Sequence, residues 1–184
     1  MRSPVYCDNR VTLSFPHIRK YITQCLADVI RQRYSEAGAI AGVATAGIPQ
    51  GALIAAELDL PFAYVRSEAK KHGLKNNIEG RLEKGSSVVV VEDLISTGKS
   101  SLKAVEDLRE AGIKVAGLVS IFNYGFPETA EKFAAANCDF VSLCDFNTLA
   151  EQAVSSNYIQ ASEQAKIAEW SRNPQAWSDN VSMH

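Results

Sequence analysis

The stretch Val88–Ser100, VVVVEDLISTGKS, sets four consecutive valines against two adjacent acids and then a small, hydroxylic run ending in Gly98-Lys99-Ser100. Four β-branched residues with no polar alternation are what a strand covered on both faces requires. The run predicts the centre of a sheet, and its carboxyl end predicts where chemistry sits. A Gly-Lys-Ser after such a strand invites comparison with a triphosphate cradle, whose first glycine lies five positions before its second. Here that position holds Asp93. A carboxylate there would repel the phosphates that backbone amides should surround, so the triphosphate reading fails. What remains is a helix N-terminus with backbone N–H groups from Ser96 to Ser100, a glycine at Gly98 for close approach, and hydroxyls on Thr97 and Ser100. That set suits one monoester phosphate. Glu92 and Asp93 beside it suit the vicinal hydroxyls of a sugar, or a Mg²⁺ ion bound to one. A sugar phosphate satisfies both halves. In a plainer reading the two acids only cap the following helix.

Outward from this strand, helix and strand patterns alternate. Upstream, Ile18, Tyr21, Ile22, Cys25, Leu26, Val29 and Ile30 recur at helical spacing and predict a helix from Phe15 to Tyr34, with Ser14 as cap and Pro16 in the first turn. AGAIAGVATAG predicts a buried strand from Ala39 to Ala44, a glycine turn and a helix from Pro49 to Glu57; FAYVR predicts a strand from Phe62 to Arg66. About twenty polar residues follow, SEAKKHGLKNNIEGRLEKGSS, with no apolar face, a loop length that compact domains reserve for function or leave disordered. Downstream, a helix from Lys99 to Glu110 puts Leu102, Val105 and Leu108 on one side and stops at Gly112. A strand from Val115, a helix from Pro127 to Ala136, a strand from Phe140 to Leu143, a helix from Asn147 to Ser155 and a polar tail helix from Ser162 to Arg172 complete the series. Trp170 and Trp177 are expected to anchor that tail by packing. The alternation predicts an α/β fold with a doubly wound, mainly parallel sheet and helices on both faces.

The 184 residues are 46% hydrophobic and 22% charged, enough to bury the core of a single domain. A formal charge of −2 and a pI near 5.9 exclude a broad basic footprint for nucleic acid or anionic membrane, so any anion site is local. No run of 18 apolar residues is present and MRSPVYCDNR lacks a signal-peptide core, which predicts a cytoplasmic protein with no membrane partner. Cys7, Cys25, Cys138 and Cys144 show no metal-ligand spacing and are expected to be reduced.

The segment from Glu92 to Ser100 resembles the phosphoribosyl pyrophosphate (PRPP) motif of the type I phosphoribosyltransferases. Three further blocks in the same order, SPVYCDNRVTLSFP (Ser3 to Pro16), GVATAGIP (Gly42 to Pro49) and YVRSEAKKHGLKNNIEG (Tyr64 to Gly80), are similar to the bacterial orotate phosphoribosyltransferases over roughly residues 2 to 165. The resemblance implies the type I phosphoribosyltransferase fold with a shortened N-terminal hood: a core at about 14–157, a hood remnant at 1–13 and a helical tail at 158–184. It implies transfer of the phosphoribosyl group of PRPP to orotate, giving orotidine 5'-monophosphate and pyrophosphate on the way to UMP, with Mg²⁺ carried in on PRPP and no direct metal ligand. The family uses positions matching Glu92 and Asp93 near the ribose hydroxyls, Leu94 and Ile95 beside them, and Ser96, Thr97, Gly98, Lys99 and Ser100 around the 5-phosphate. Lys99 is expected to run along the helix. Ser96 matches an orotate contact. Arg66, Lys70 and His72 match pyrophosphate contacts, with Lys71 as an additional loop cation. Lys70 and Asp93 are the implied catalytic residues, Lys70 on a mobile arm reaching into the site of a second copy in a homodimer. Basic side chains and donors suit a leaving pyrophosphate, and Gly73 suits an arm that moves.

Three departures accompany the likeness. The family carries roughly 25 to 30 residues before the SPVYCDNR block, so an incomplete orotate hood and reduced orotate affinity are expected. Ala46 stands where some members have a PRPP-contacting lysine. Asn123 stands where some have an orotate-binding arginine, so the orotate carboxylate would rest on backbone amides or the preferred base would differ. The alternatives are a phosphoribosyltransferase for another base, as in purine salvage, or a PRPP-binding protein with impaired catalysis.

Overall fold

The computed structural model describes residues 3–67, 77–172, 174 and 177. A 3₁₀ turn, Asn9–Ser14, precedes α1 (Pro16–Arg33), β1 (Ala39–Val43), α2 (Gly47–Leu58), β2 (Phe62–Val65), β3 (Ile78–Glu79), β4 (Ser87–Ile95), α3 (Lys99–Glu110), β5 (Lys114–Asn123), α4 (Pro127–Ala135), β6 (Phe140–Asp145), α5 (Phe146–Ser155) and α6 (Ala161–Arg172). One six-stranded sheet runs in the order β3-β2-β1-β4-β5-β6. Every neighbouring pair is parallel except β2 with β3, which is antiparallel at the edge.

The valine run explains the layering. Val88, Val89, Val90 and Val91 are each 0% exposed, but strand alternation sends them to opposite faces. Val88 and Val90 pack with Ala104, Val105 and Leu108 of α3 and Phe133 of α4. Val89 and Val91 pack with Ile22, Leu26 and Ile30 of α1 and Ile54 of α2. Each valine contributes about 1.5–3 kcal/mol as an upper bound, which makes this strand the part of the sheet least able to accept a polar residue. A third cluster of Phe122, Phe126, Phe146 and Trp170 sits beyond the carboxyl ends of β5 and β6, with Val5, Cys7 and Trp177 packed against it. It ties the start of the chain to α6. The expected anchoring by Trp170 holds, since that ring is 2% exposed and lies edge-on to Tyr124, Phe126 and Phe146.

Two sequence expectations are corrected, and the end of the central strand is located. The polar stretch after β2 is not loop throughout: Ile78–Glu79 return along β2, and the N–H of Arg66 donates to the Asn77 carbonyl at 2.8 Å. Ser14 does not cap α1. That position is Phe15, with no side-chain cap, because Ser14 is taken up in the preceding turn. The central strand runs on to Ile95, which places both acids inside it.

Candidate active site

Two neighbouring cavities open at the carboxyl ends of the parallel strands, where an α/β sheet of this kind presents ligands. The first, about 500 Å³, is bounded by the end of β1, Arg66 and Ser67 after β2, and the turn Ser96–Ser101 with Lys103 and Ala104 of α3. The second, about 300 Å³, lies between the N-terminal segment (Cys7, Asp8, Arg10), the turn Ala44–Ala46 and Glu92–Leu94. Ala44, Leu94 and Ser100 line both, so the two are halves of one cleft. Charge is divided between them. Arg66, Lys99 and Lys103 border the first, whereas Asp8, Glu92 and Asp93 border the second with Arg10.

The turn after β4 is built to face an anion. Gly98 is the N-cap residue of α3 at φ +73°, and no side chain caps the helix. The first helical bond runs from the Leu102 N–H to the Gly98 carbonyl, so the amides of Lys99, Ser100 and Ser101 precede the helical ladder and meet no backbone partner outside it among the described residues. Helix capping by Glu92 and Asp93 is thereby excluded. From the opposite side the Thr129 hydroxyl, on α4, donates to the Ser96 carbonyl at 2.7 Å. A Cβ on Gly98 would fall 2.6 Å from the Phe133 ring, so α4 packs directly on this turn.

The acids differ in setting. Alternation carries Glu92 to the face of Val88 and Val90, under α3, where it is 5% exposed. Its Oε2 accepts the Ser101 hydroxyl at 3.3 Å and its Oε1 the Asp93 N–H at 3.1 Å. Burial, with Asp93 adding to it, pushes the Glu92 carboxyl up to about 8. Asp93 is half-buried and its carbonyl accepts the Asn9 side-chain N–H at 2.9 Å, which lays the N-terminal segment across the end of β4. Arg10 forks onto Asp8, with Nε–Oδ1 2.6 Å and an Nη2–Oδ2 bond of 3.0 Å, and holds that carboxyl below its ordinary value.

Of the residues expected from sequence, Arg66, Glu92, Asp93, Leu94, Ser96, Thr97, Gly98, Lys99 and Ser100 line the cleft. Ile95 does not: its side chain is 1% exposed in the α3-side core, and its carbonyl accepts the Tyr124 N–H at 3.0 Å. Lys70, Lys71, His72 and Gly73 lie outside the described residues. Arg66 is paired with Glu79 at 3.5 Å, which steadies it at the rim of the first cavity. Ala46 borders the second cavity, and Asn123 borders neither. Sequence reading overlooked Ser101 and Thr129. Ser101 had a signal, since it shares the buried face of α3 with Ala104, Val105 and Leu108; Thr129, 33 residues from Ser96, had none.

The family pattern described as the phosphoribosyl transferase domain matches residues 12–153. An orotate phosphoribosyltransferase of Listeria innocua is 49% identical over 177 residues, 96% of this chain and 85% of that protein. The chain belongs to the orotate phosphoribosyltransferase family. A second member of the family, from Cytophaga hutchinsonii, is 50% identical over 175 residues, 95% of this chain and 84% of that one. The crystal structure of the orotate phosphoribosyltransferase from Aeropyrum pernix superposes with a TM-score of 0.75 at 35% identity, covering 83% of this chain and 85% of that one. The mainly parallel sheet is thus the sheet of the family.

Proposed function

We propose that this chain joins orotate N1 to C1 of the ribose of PRPP, releasing pyrophosphate and forming orotidine 5'-monophosphate. The observation that carries this is the division of charge in the cleft. A cationic half with free helix-terminal amides suits phosphates, and an acidic half suits ribose hydroxyls. The turn Ser96–Ser100 would hold the 5-phosphate, Asp93 with Glu92 the ribose, and Arg66 the pyrophosphate. As the C1–O bond breaks, positive charge grows on the ribose ring and negative charge on the leaving group, so fixed charge and positioning lower the barrier more than a nucleophile could.

Mg²⁺ is proposed to enter the cleft bound to PRPP. Among the described residues no group of three His, Cys, Asp or Glu side chains is placed to hold a metal. A hard cation that retains waters and rides on substrate oxygens needs no such cage, and Asp93 at the edge of the second cavity would face its water shell. Bound there, Mg²⁺ would neutralise charge on pyrophosphate.

The deciding experiment follows orotate absorbance after addition of PRPP and Mg²⁺, with adenine, hypoxanthine and uracil in parallel. Consumption of orotate alone is expected. Turnover of another base with orotate untouched would overturn the assignment. Lys70→Ala is expected to lower kcat about tenfold to a hundredfold while leaving PRPP binding nearly intact, as befits a group that acts as charge develops; equal losses in both would contradict that role.

Two copies are proposed to associate through the 3₁₀ turn and the start of α1. Val11, Phe15, Ile18 and Tyr21 there are 56%, 46%, 37% and 69% exposed, an apolar strip that a second copy would cover. Sedimentation should report a dimer for the wild type and a monomer for Phe15→Glu with Tyr21→Glu; an unchanged mass in the variant would discard this surface. Among the described residues no helix is long and apolar enough to cross a membrane. A cytoplasmic setting is proposed with it, and none of the four cysteines is disulfide-bonded.

A further inference from the structure

We infer that Thr129 is a positioning residue for phosphoryl binding: its hydroxyl fixes the orientation of the Ser96–Thr97 peptide so that the Thr97 N–H faces the ligand. Thr129 is 4% exposed and donates to the Ser96 carbonyl at 2.7 Å. A trans peptide is planar, and its C=O and N–H point in opposite directions. Drawing the Ser96 carbonyl towards α4 therefore turns the Thr97 N–H away from α4. The first cavity lies on that side, since Thr97 lines it and none of its lining residues comes from α4. Without the bond the peptide could rotate, exchanging a donor for a carbonyl that repels phosphate.

Thr129 is itself held. Its N–H donates to the Phe126 carbonyl at 2.9 Å in the first turn of α4, and Pro127 at the start of that helix fixes the backbone there. Its methyl would lie 3.5 Å from a Cβ on Gly98, so hydroxyl and methyl touch successive parts of the same turn. The α4 helix, which contributes nothing to the lining of the first cavity, thus governs the geometry of its anion-binding amides.

The inference rests on the proposed function only for which phosphate is bound, so the test uses ribose 5-phosphate, which needs no base. Calorimetry on the full chain is expected to show that Thr129→Val, of similar shape but without the donor, weakens ribose 5-phosphate binding about tenfold, whereas Thr129→Ser binds within about twofold of wild type. In turnover, KM for PRPP should rise by the same factor, with KM for orotate unchanged. If Thr129→Val fails to fold, the wild type still decides: the Thr97 amide resonance should shift on adding ribose 5-phosphate and gain protection from exchange. Undiminished binding by a folded Thr129→Val, or an unresponsive Thr97 amide beside responsive Ser100 and Ser101 amides, would overturn the inference alone. A wild type that binds no ribose 5-phosphate would overturn it together with the proposed function.

Discussion

Replacing Glu92 with glutamine is expected to make the protein more stable at alkaline pH and far less active. The carboxyl sits near 4.5 in an unfolded chain and is pushed up to about 8 in the folded one. Between those values the folded protein holds a proton that the unfolded chain has lost, so each upward step in pH favours unfolding. Below about 4.5 the cost is absent; above about 8 it is complete, on the order of a few kcal/mol. Glutamine carries no such proton, and its amide can still donate towards Ser101 while its oxygen accepts the Asp93 N–H. Melting curves of wild type and Glu92→Gln should therefore coincide near pH 5 and separate by about 5–10 °C near pH 9, with the variant higher. Above about pH 8, where the wild-type carboxyl is ionised, activity should move the other way, falling about 10²–10³-fold, because a neutral amide cannot become the anion that a developing ribose cation favours. Coincident melting curves at both pH values would place the carboxyl in its ordinary range. Retained activity would remove Glu92 from the chemistry. A residue that destabilises the empty protein and is needed for turnover is the usual form of the trade between stability and function.

What was legible in the sequence follows from how local each signal is. The central strand could be read because burial on both faces leaves a run of valines with no alternation. The bounds of α3, Lys99 to Glu110, could be read because Gly98 and Gly112 punctuate it on either side. β3 could not: two residues at a sheet edge carry no period, and they pair only because β2 is there to receive them. In the site, Glu92 and Asp93 could be recognised as acids at a strand end, but not as unequal ones. Their difference in burial depends on α3 lying over one face of β4 and the N-terminal segment crossing its end, two long-range facts. Ile95 was overcounted for a related reason. Adjacency in a motif does not fix facing: Ile95 is odd-numbered like Val89 and Val91, but its side chain joins the α3-side core with Val88 and Val90, so strict alternation has ended by the last residue of the strand. Thr129 and Phe133 were invisible because they act on the motif from another helix.

The second large effect is expected at Gly98. Its φ of +73° is a conformation that costs a residue with a Cβ about 1–2 kcal/mol. Space is the harder constraint. A Cβ would fall 2.6 Å from Phe133 Cε2, and that ring is 1% exposed with its centroid 4.5 Å from that of Phe140, so it has no room to retreat. Overpacking of this sort adds about 1–3 kcal/mol, and Gly98→Ala should lose about 2–5 kcal/mol of stability in total. The turn rather than the core is the part able to give way, because one of its sides faces the open cleft. A displacement of about 1 Å there would misplace the amides that meet the phosphate and cost about 10²-fold in kcat/KM for PRPP. Combining Gly98→Ala with Phe133→Leu separates the two causes. The shorter side chain relieves the clash but not the backbone cost, so ribose 5-phosphate affinity should recover in the double variant although its stability stays low. If affinity remains lost in the double variant, the left-handed backbone of Gly98 governs the turn and contact with α4 does not.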